Sequence, residues 1–226
     1  DNLSPASVDQ DIGRAKNAML TVDQFAAKNL DWRERMIARV YDCYEKLLAE
    51  NGGLDFDDLL MRMALLLSRD AGLRAELENR FRYVLIDEYQ DTNAAQYQIA
   101  RFLTQERENL CATGDPDQSI YGWRGADIGN ILSFERDYPK AKVVRLEQNY
   151  RSTKRILAAA DALIAGNVMR KQKALWTEND AGPTVRVLEC EDGDDEAGEI
   201  AEDIAHRVRD GVGPGEIAVF YRVNSL

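Results

Sequence analysis

Asp87 and Glu88 are adjacent carboxylates that end the apolar run Tyr83-Val84-Leu85-Ile86, and the hydrogen-bonding side chains of Gln90, Asp91, Thr92 and Asn93 follow closely. A short apolar run bounded in this way predicts a buried strand. Polar residues at its carboxyl end fall on the rim where open α/β sheets bind their ligands. Two acids at that rim suit nucleotide hydrolysis. Asp87 would hold Mg2+, directly or through water, while Glu88 orients and deprotonates the attacking water. Taken alone, the pair also fits a strand that simply stops in a solvated Asp-Glu turn.

The second informative stretch is Gly114-Asp115-Pro116-Asp117-Gln118-Ser119-Ile120-Tyr121-Gly122-Trp123-Arg124-Gly125-Ala126, which gathers two acids, an amide, two large aromatics and an arginine in one glycine-rich turn. The Gln118 amide could sense a terminal phosphate. Tyr121 and Trp123 could stack on unpaired bases, each stack contributing about 1–3 kcal/mol. For Trp123 by itself, plugging a core is the alternative.

Both stretches need a scaffold that delivers them to one place. The pattern predicts a strand over 83–87, a helix over 93–105, a strand over 109–113, the glycine-rich turn, a helix over 127–136 and a strand over 142–146. Repeated βαβ units imply a parallel sheet with right-handed crossovers. Parallel order brings Asp87, Glu88 and the turn from Gly114 out along the same sheet edge.

Upstream, residues 1–30 read as a loop with a short helix over 21–28. A helix begins at Asp31, which is spaced with Glu34 as a capping box, and ends at Gly52-Gly53. A second starts near Asp55 or Asp57 and carries Leu59, Leu60, Met63, Leu66 and Leu67 as a core stripe; a third covers 72–81. Downstream, a helix over 153–165 is expected to turn Ile156, Leu157, Ala160, Leu163 and Ile164 inward. An irregular linker over 166–183 holds Lys171, Lys173 and Trp176. A strand (184–189), a helix (195–209) and a strand (216–221) then suggest the start of a second α/β domain. The acidic run over 191–199 lacks EF-hand spacing and reads as a solvated loop and helix start.

With 226 residues and 45% hydrophobic content, the chain can bury a sizeable core. A formal charge of -11 argues against binding DNA by bulk electrostatics, so any nucleic-acid contact must come from a local groove with aromatic help. Cys43, Cys111 and Cys190 are odd in number and far apart, and His206 is the only histidine. Neither a disulfide framework nor a zinc site fits that set. There is no membrane-span run and no amino-terminal signal pattern, so a reducing cytoplasm is the expected compartment. A start at Asp1 without Met suggests a segment of something longer.

The stretches Ile86 to Asn93, Gly114 to Ala126 and Leu146-Glu147-Gln148-Asn149-Tyr150-Arg151-Ser152, in this order and spacing, resemble the UvrD/PcrA/Rep family of superfamily 1 DNA helicases. Leu54-Asp55-Phe56-Asp57-Asp58-Leu59-Leu60 looks like the family's segment ahead of the acidic motif, and Ile217-Ala218-Val219-Phe220-Tyr221-Arg222 like a later strand. The resemblance implies ATP and Mg2+ as cofactors, with Asp87 on the metal and Glu88 as the catalytic base. It implies that Gln118 contacts the γ-phosphate, and that Tyr121, Trp123 and Arg124 lie in a groove for single-stranded DNA. Tyr150 would stack on adenine and Arg151 would serve as an arginine finger across an interdomain cleft. ATP-driven movement 3′ to 5′ along single-stranded DNA, up to duplex junctions and in repair or replication, is the implied activity. Tyr89 stands where Phe is commoner in the family.

One departure is larger than the matches: the sequence has no GxxxxGK(S/T), the loop whose amides and lysine cradle phosphates. The expectation is therefore an internal piece of a helicase. Residues 1–81 would be a helical insertion (1B-like), 82–147 the carboxyl-terminal part of a first RecA-like domain (1A-like), and 148–226 the beginning of a second (2A-like). Two other readings stand beside it, a helicase-nuclease subunit and a non-catalytic interaction module that retains the fold.

Overall fold

The computed structural model describes residues 3–28 and 30–221. Helix α1 (Pro5–Asn17) starts where Ser4 accepts a hydrogen bond from the Ser7 amide and Pro5 takes the first turn, a position that needs no N–H. The expectation of a loop here is corrected. Its buried face is short, Ile12, Ala15 and Lys16, so the apolar period was faint in sequence. Helix α2 (Val22–Ala26) follows, then α3 (Trp32–Glu50), with the anticipated Asp31/Glu34 capping box in place. Ile37 and Tyr41 of α3 pack on Ile12 and Ala15, with Phe25 and Tyr44 at the margin.

Helix α4 (Phe56–Arg69) is capped by Asp55, and α5 (Ala71–Arg80) by Asp70. On α4 the buried row is Asp58, Met61, Ala64 and Leu67, whereas Leu59, Met63 and Leu66 are exposed. The core stripe is thus rotated from the expected one. This helix is apolar on more than one face, and its neighbours α1 and α6 decide which face is covered.

Strand β1 (Val84–Ile86) and β2 (Leu110–Ala112) pair in parallel, in the register Val84↔Leu110, Leu85↔Cys111, Ile86↔Ala112. Helix α6 (Ala94–Leu103), with an Asn93/Gln96 capping box, makes the crossover. The expected helix over 127–136 is broken at Ser133 into α7 (Gly129–Leu132) and α8 (Phe134–Asp137).

The strands expected at 142–146, 184–189 and 216–221 have no ladder among the described residues, and Arg222 of the last stretch lies outside them. A strand exists only by pairing. Val144, Leu146, Val187 and Phe220 are all exposed, as suits runs built for a sheet with both faces covered. Helices α9 (Lys154–Ile164) and α10 (Gly193–Arg209) occupy the expected places, but α9 buries no residue fully.

By contacts the chain forms two units. The first comprises residues up to Glu147 together with Ile164–Ala174; the second comprises Gln148–Leu163 and the chain from Leu175 onward. The stretch expected to be linker is therefore split between them.

Candidate functional site

Parallel register carries β1 and β2 to one edge together. Thr113 donates its amide to Ile86 O at 2.8 Å and Tyr89 donates to Thr113 O at 2.9 Å, so the ladder continues one step beyond each strand. Asp87 and Glu88 sit in that step, both exposed. Asp87 Oδ1 accepts the Glu88 amide at 3.0 Å. The Glu88 backbone is left-handed (φ 50°, ψ 44°), which turns the chain sharply off the strand and into a single 3-10 turn, Tyr89–Asp91. Left-handed non-glycine residues of this kind cluster at functional sites.

The glycine-rich turn is tied down at both ends. At its start, the Asp115 amide donates to Gln90 Oε1 at 2.9 Å, while Gln90 Nε2 donates to Glu88 Oε2 at 2.7 Å. Gln90 is buried and links the exposed acid to the turn. Gly114 is needed there because a Cβ would meet Gln90 Oε1 at 2.7 Å and Ile131 Cδ1 at 2.8 Å. At its end, the Asp127 amide and Asn130 Nδ2 both donate to Thr92 O, at 2.9 and 3.0 Å. The turn thus hangs from the two sides of the Tyr89-to-Thr92 segment.

Within it, Asp115 caps the 3-10 turn Pro116–Gln118 by accepting the Asp117 amide, and its other oxygen accepts Gln118 Nε2 at 2.7 Å. The tip is open. Trp123 is 65% exposed, so it plugs no core among the described residues. The Arg124 guanidinium lies 4.5 Å from the Trp123 ring and 5.3 Å from the Tyr121 ring, in cation–π contact with both. Gly125, at φ 88°, closes the tip in a conformation that favours glycine, and its Cα side faces Asn17 of α1.

In the second unit Tyr150 is 77% exposed and donates from its hydroxyl to Gln148 Oε1 at 2.8 Å. Asn149 Oδ1 accepts the amides of Arg151 and Ser152 at 3.0 and 2.7 Å, an Asx turn that presents Arg151 outward. Asn179 Nδ2 ties the same turn down by donating to the carbonyls of Tyr150 and Ser152.

Sequence reasoning did not single out the roles of Gln90 and Asn130, the two buried amides that hold the turn. Their partners lie 25 and 38 residues away, beyond any local pattern. Glu45, Asp55 and Asp58 form a second carboxylate cluster whose oxygens could surround a cation, but the Lys16 ammonium fills it at 2.6, 2.6 and 3.1 Å.

A parallel βαβ unit with an acidic pair and an aromatic loop on one edge defines an α/β protein with a candidate ligand-binding rim. Residues 1–139 match the UvrD/REP helicase N-terminal domain and residues 144–226 the UvrD-like helicase C-terminal domain, and the chain belongs to this family. It is 46% identical over 214 residues to the ATP-dependent DNA helicase PcrA of Staphylococcus epidermidis. It is 45% identical over the same length to the protein of that name from Staphylococcus aureus. Each alignment covers 95% of this chain and 29% of the relative.

Proposed function

We propose that this sequence is the middle of an ATP-dependent DNA helicase motor, with residues 1–81 as a helical insertion, 82–147 as part of a first RecA-like domain and 148–226 as the beginning of a second. The observation that carries the reading is the shared edge, where Glu88, Gln90 and the Asp115 turn form one hydrogen-bonded series. Coupling hydrolysis to DNA needs such a physical link between acid and aromatic loop.

Asp87 offers hard carboxylate oxygens, the donor type that Mg2+ takes, and Mg2+ there would neutralise charge on the phosphates of ATP. Glu88 orients and accepts a proton from water. Gln118, whose amide group is already at the turn's surface, reports the γ-phosphate to Tyr121, Trp123 and Arg124, which grip single-stranded DNA. Tyr150 stacks on adenine, and Arg151 stabilises charge on the transferring phosphoryl group. Movement 3′ to 5′ toward duplex junctions, a role in repair or replication, and a cytoplasmic location belong to the same reading and rest on family resemblance. The phosphate-cradling loop is no part of this sequence.

Two assays test the proposal. The 226-residue chain alone should show negligible DNA-stimulated ATPase, and turnover that responds to Glu88→Gln in it would overturn the reading. In the full-length helicase of the parent reading frame, Arg151→Ala should lower the saturated rate by about 10³–10⁵ and Arg151→Lys should rescue little. Tyr150→Ala should mainly raise the ATP concentration required. Trp123→Ala should weaken single-strand binding by about 1–3 kcal/mol while basal ATPase suffers less. An upstream reading frame without a phosphate loop would favour the interaction module instead.

A further inference from the structure

The stretch Ile164–Ala174, which begins at the last residue of α9, belongs to the first unit, and its cations meet the acids of the Gln118 turn. The Lys173 ammonium pairs closely with Asp115 Oδ2, the oxygen that also accepts Gln118 Nε2, and lies 3.3 Å from Asp117 Oδ2. Arg170 reaches the same Asp117 oxygen at 3.0 Å. The Asp117 side chain is only 6% exposed, and none of the four is more than about a quarter exposed. Nearby Lys171 pairs instead with Glu135, where both side chains are open to solvent.

We propose that Lys173, with Arg170 beside it, is a positioning residue for the Gln118 turn: its ammonium cancels Asp115 and Asp117 and so holds Gln118 where a terminal phosphate is read. Two reasons support the assignment. Without compensation, two carboxylates two residues apart repel each other and open the 3-10 turn that orients the amide. They would also repel an incoming polyphosphate, since unpaired charge in a half-buried place is screened little. Lys173 removes both effects from a point 55 residues downstream of Gln118. The proposal rests on the γ-phosphate role given to Gln118 above.

The test has two arms. In this chain, hydrogen-deuterium exchange of residues 114–126 should quicken about 5- to 30-fold in Lys173→Ala, the span of a one- to two-kcal/mol opening. Lys173→Arg should restore protection, and Lys171→Ala should leave it at wild type. Asp115→Asn, which removes one of the charges and whose single side-chain oxygen keeps one of the two hydrogen bonds, to the Asp117 amide or to Gln118, should abolish most of the effect of adding Lys173→Ala; it also serves if Lys173→Ala folds poorly. In the full-length helicase, Lys173→Ala should reduce the preference for a nonhydrolysable ATP analogue over ADP by a similar factor with ADP affinity held. Loss of general structure would weaken both nucleotides alike. Unchanged exchange, or faster exchange with unchanged nucleotide preference, overturns the proposal. A wild-type helicase with no preference for ATP over ADP would instead remove the role given to Gln118, and the nucleotide-reading part of the proposal with it.

Discussion

Two lysines of the first unit each sit among carboxylates, at Lys16 and at Lys173, and the two clusters differ in what remains open. Around Lys16 only the outer edges of Glu45 and Asp55 do, at 23% and 24% exposure. Its side chain is fully buried, Glu45, Asp55 and Asp58 surround the ammonium, Arg62 closes Asp58 and Glu45 from outside, and the Tyr44 hydroxyl donates to Asp55. These contacts join α1, α3 and α4 into one layer. Around Lys173 the acids are no more exposed, but the lysine itself is partly open, at 19%, and one of the acids also holds the Gln118 amide at the surface. Similar charges therefore make a bolt in one place and an adjustable support in the other. The distinction lies in burial and in the neighbouring element, not in the residue types.

The largest effect should come from breaking the closed cluster. Lys16→Ala removes the central cation from three acids, leaving Arg62 on two of them, and should cost about 3–5 kcal/mol in chemical denaturation, the range for removing one partner of a buried pair. Burial opposes the Lys16 charge, but its hydrogen bonds to Asp55, Glu45 and Asp58 outweigh that and raise its pKa above the ordinary 10.5. Its contribution is thus complete below pH 10.5 and lost only as pH rises through the folded value. Asp55 is likewise pushed up by burial, but pulled further down by Lys16, leaving its pKa below the ordinary 3.8. Its contribution is complete above that value and lost as pH falls through the lower folded one. A stability profile that is level from about pH 5 to 9 in wild type would agree with both signs; a midpoint near neutrality assigned to either residue would not.

Gly114→Ala probes the open region with a smaller expected loss, about 1–3 kcal/mol for overpacking against Gln90 and Ile131. Unlike Lys16→Ala, it should also alter exchange throughout residues 114–126 in molecules that remain folded. If both variants changed that turn equally at matched stability, the contrast between the clusters would fail.

Tyr89→Phe is the mildest test and has the opposite sign. The Tyr89 ring is buried edge-on against Phe134 at 5.4 Å, and its hydroxyl has no partner among the described residues. Burial first, then nearby Tyr138, Tyr97 and Asp137, push its pKa up, so the phenol stays neutral and gains nothing from ionising. Removing the orphaned oxygen should stabilise by about 1 kcal/mol, seen as a higher denaturation midpoint. A fall in stability would mean that the hydroxyl is satisfied in solution.

How much of this was legible follows from how local each cause is. The caps of α3 and α4 were readable because Asp31 to Glu34, and Asp55 onward, act within one turn. The edge shared by Asp87 and Gly114 was readable because βαβ order forces parallel pairing. Helix α1 was hidden because its buried face includes a lysine, whose partners lie 29 to 42 residues ahead in the chain. The apolar runs at 142–146 and 184–189 led to strands that the structure does not show, because pairing is a property of neighbours, and no described segment lies beside them in a ladder. Lys173 was equally invisible, because an ion pair spanning 58 residues leaves no periodic trace.

The backbone at Glu88 has a further consequence for anyone selecting variants of this protein. A left-handed residue other than glycine costs about 1–2 kcal/mol relative to the right-handed form, and Glu88 holds that conformation at φ 50°. Glu88→Gly would relieve that cost while deleting the carboxylate to which we assign proton abstraction. The hydrogen bond from buried Gln90 is lost with it, so the two effects offset each other, and a library sorted by folded yield would retain this substitution whereas one sorted by turnover would discard it. At this position the two screens should disagree about glycine.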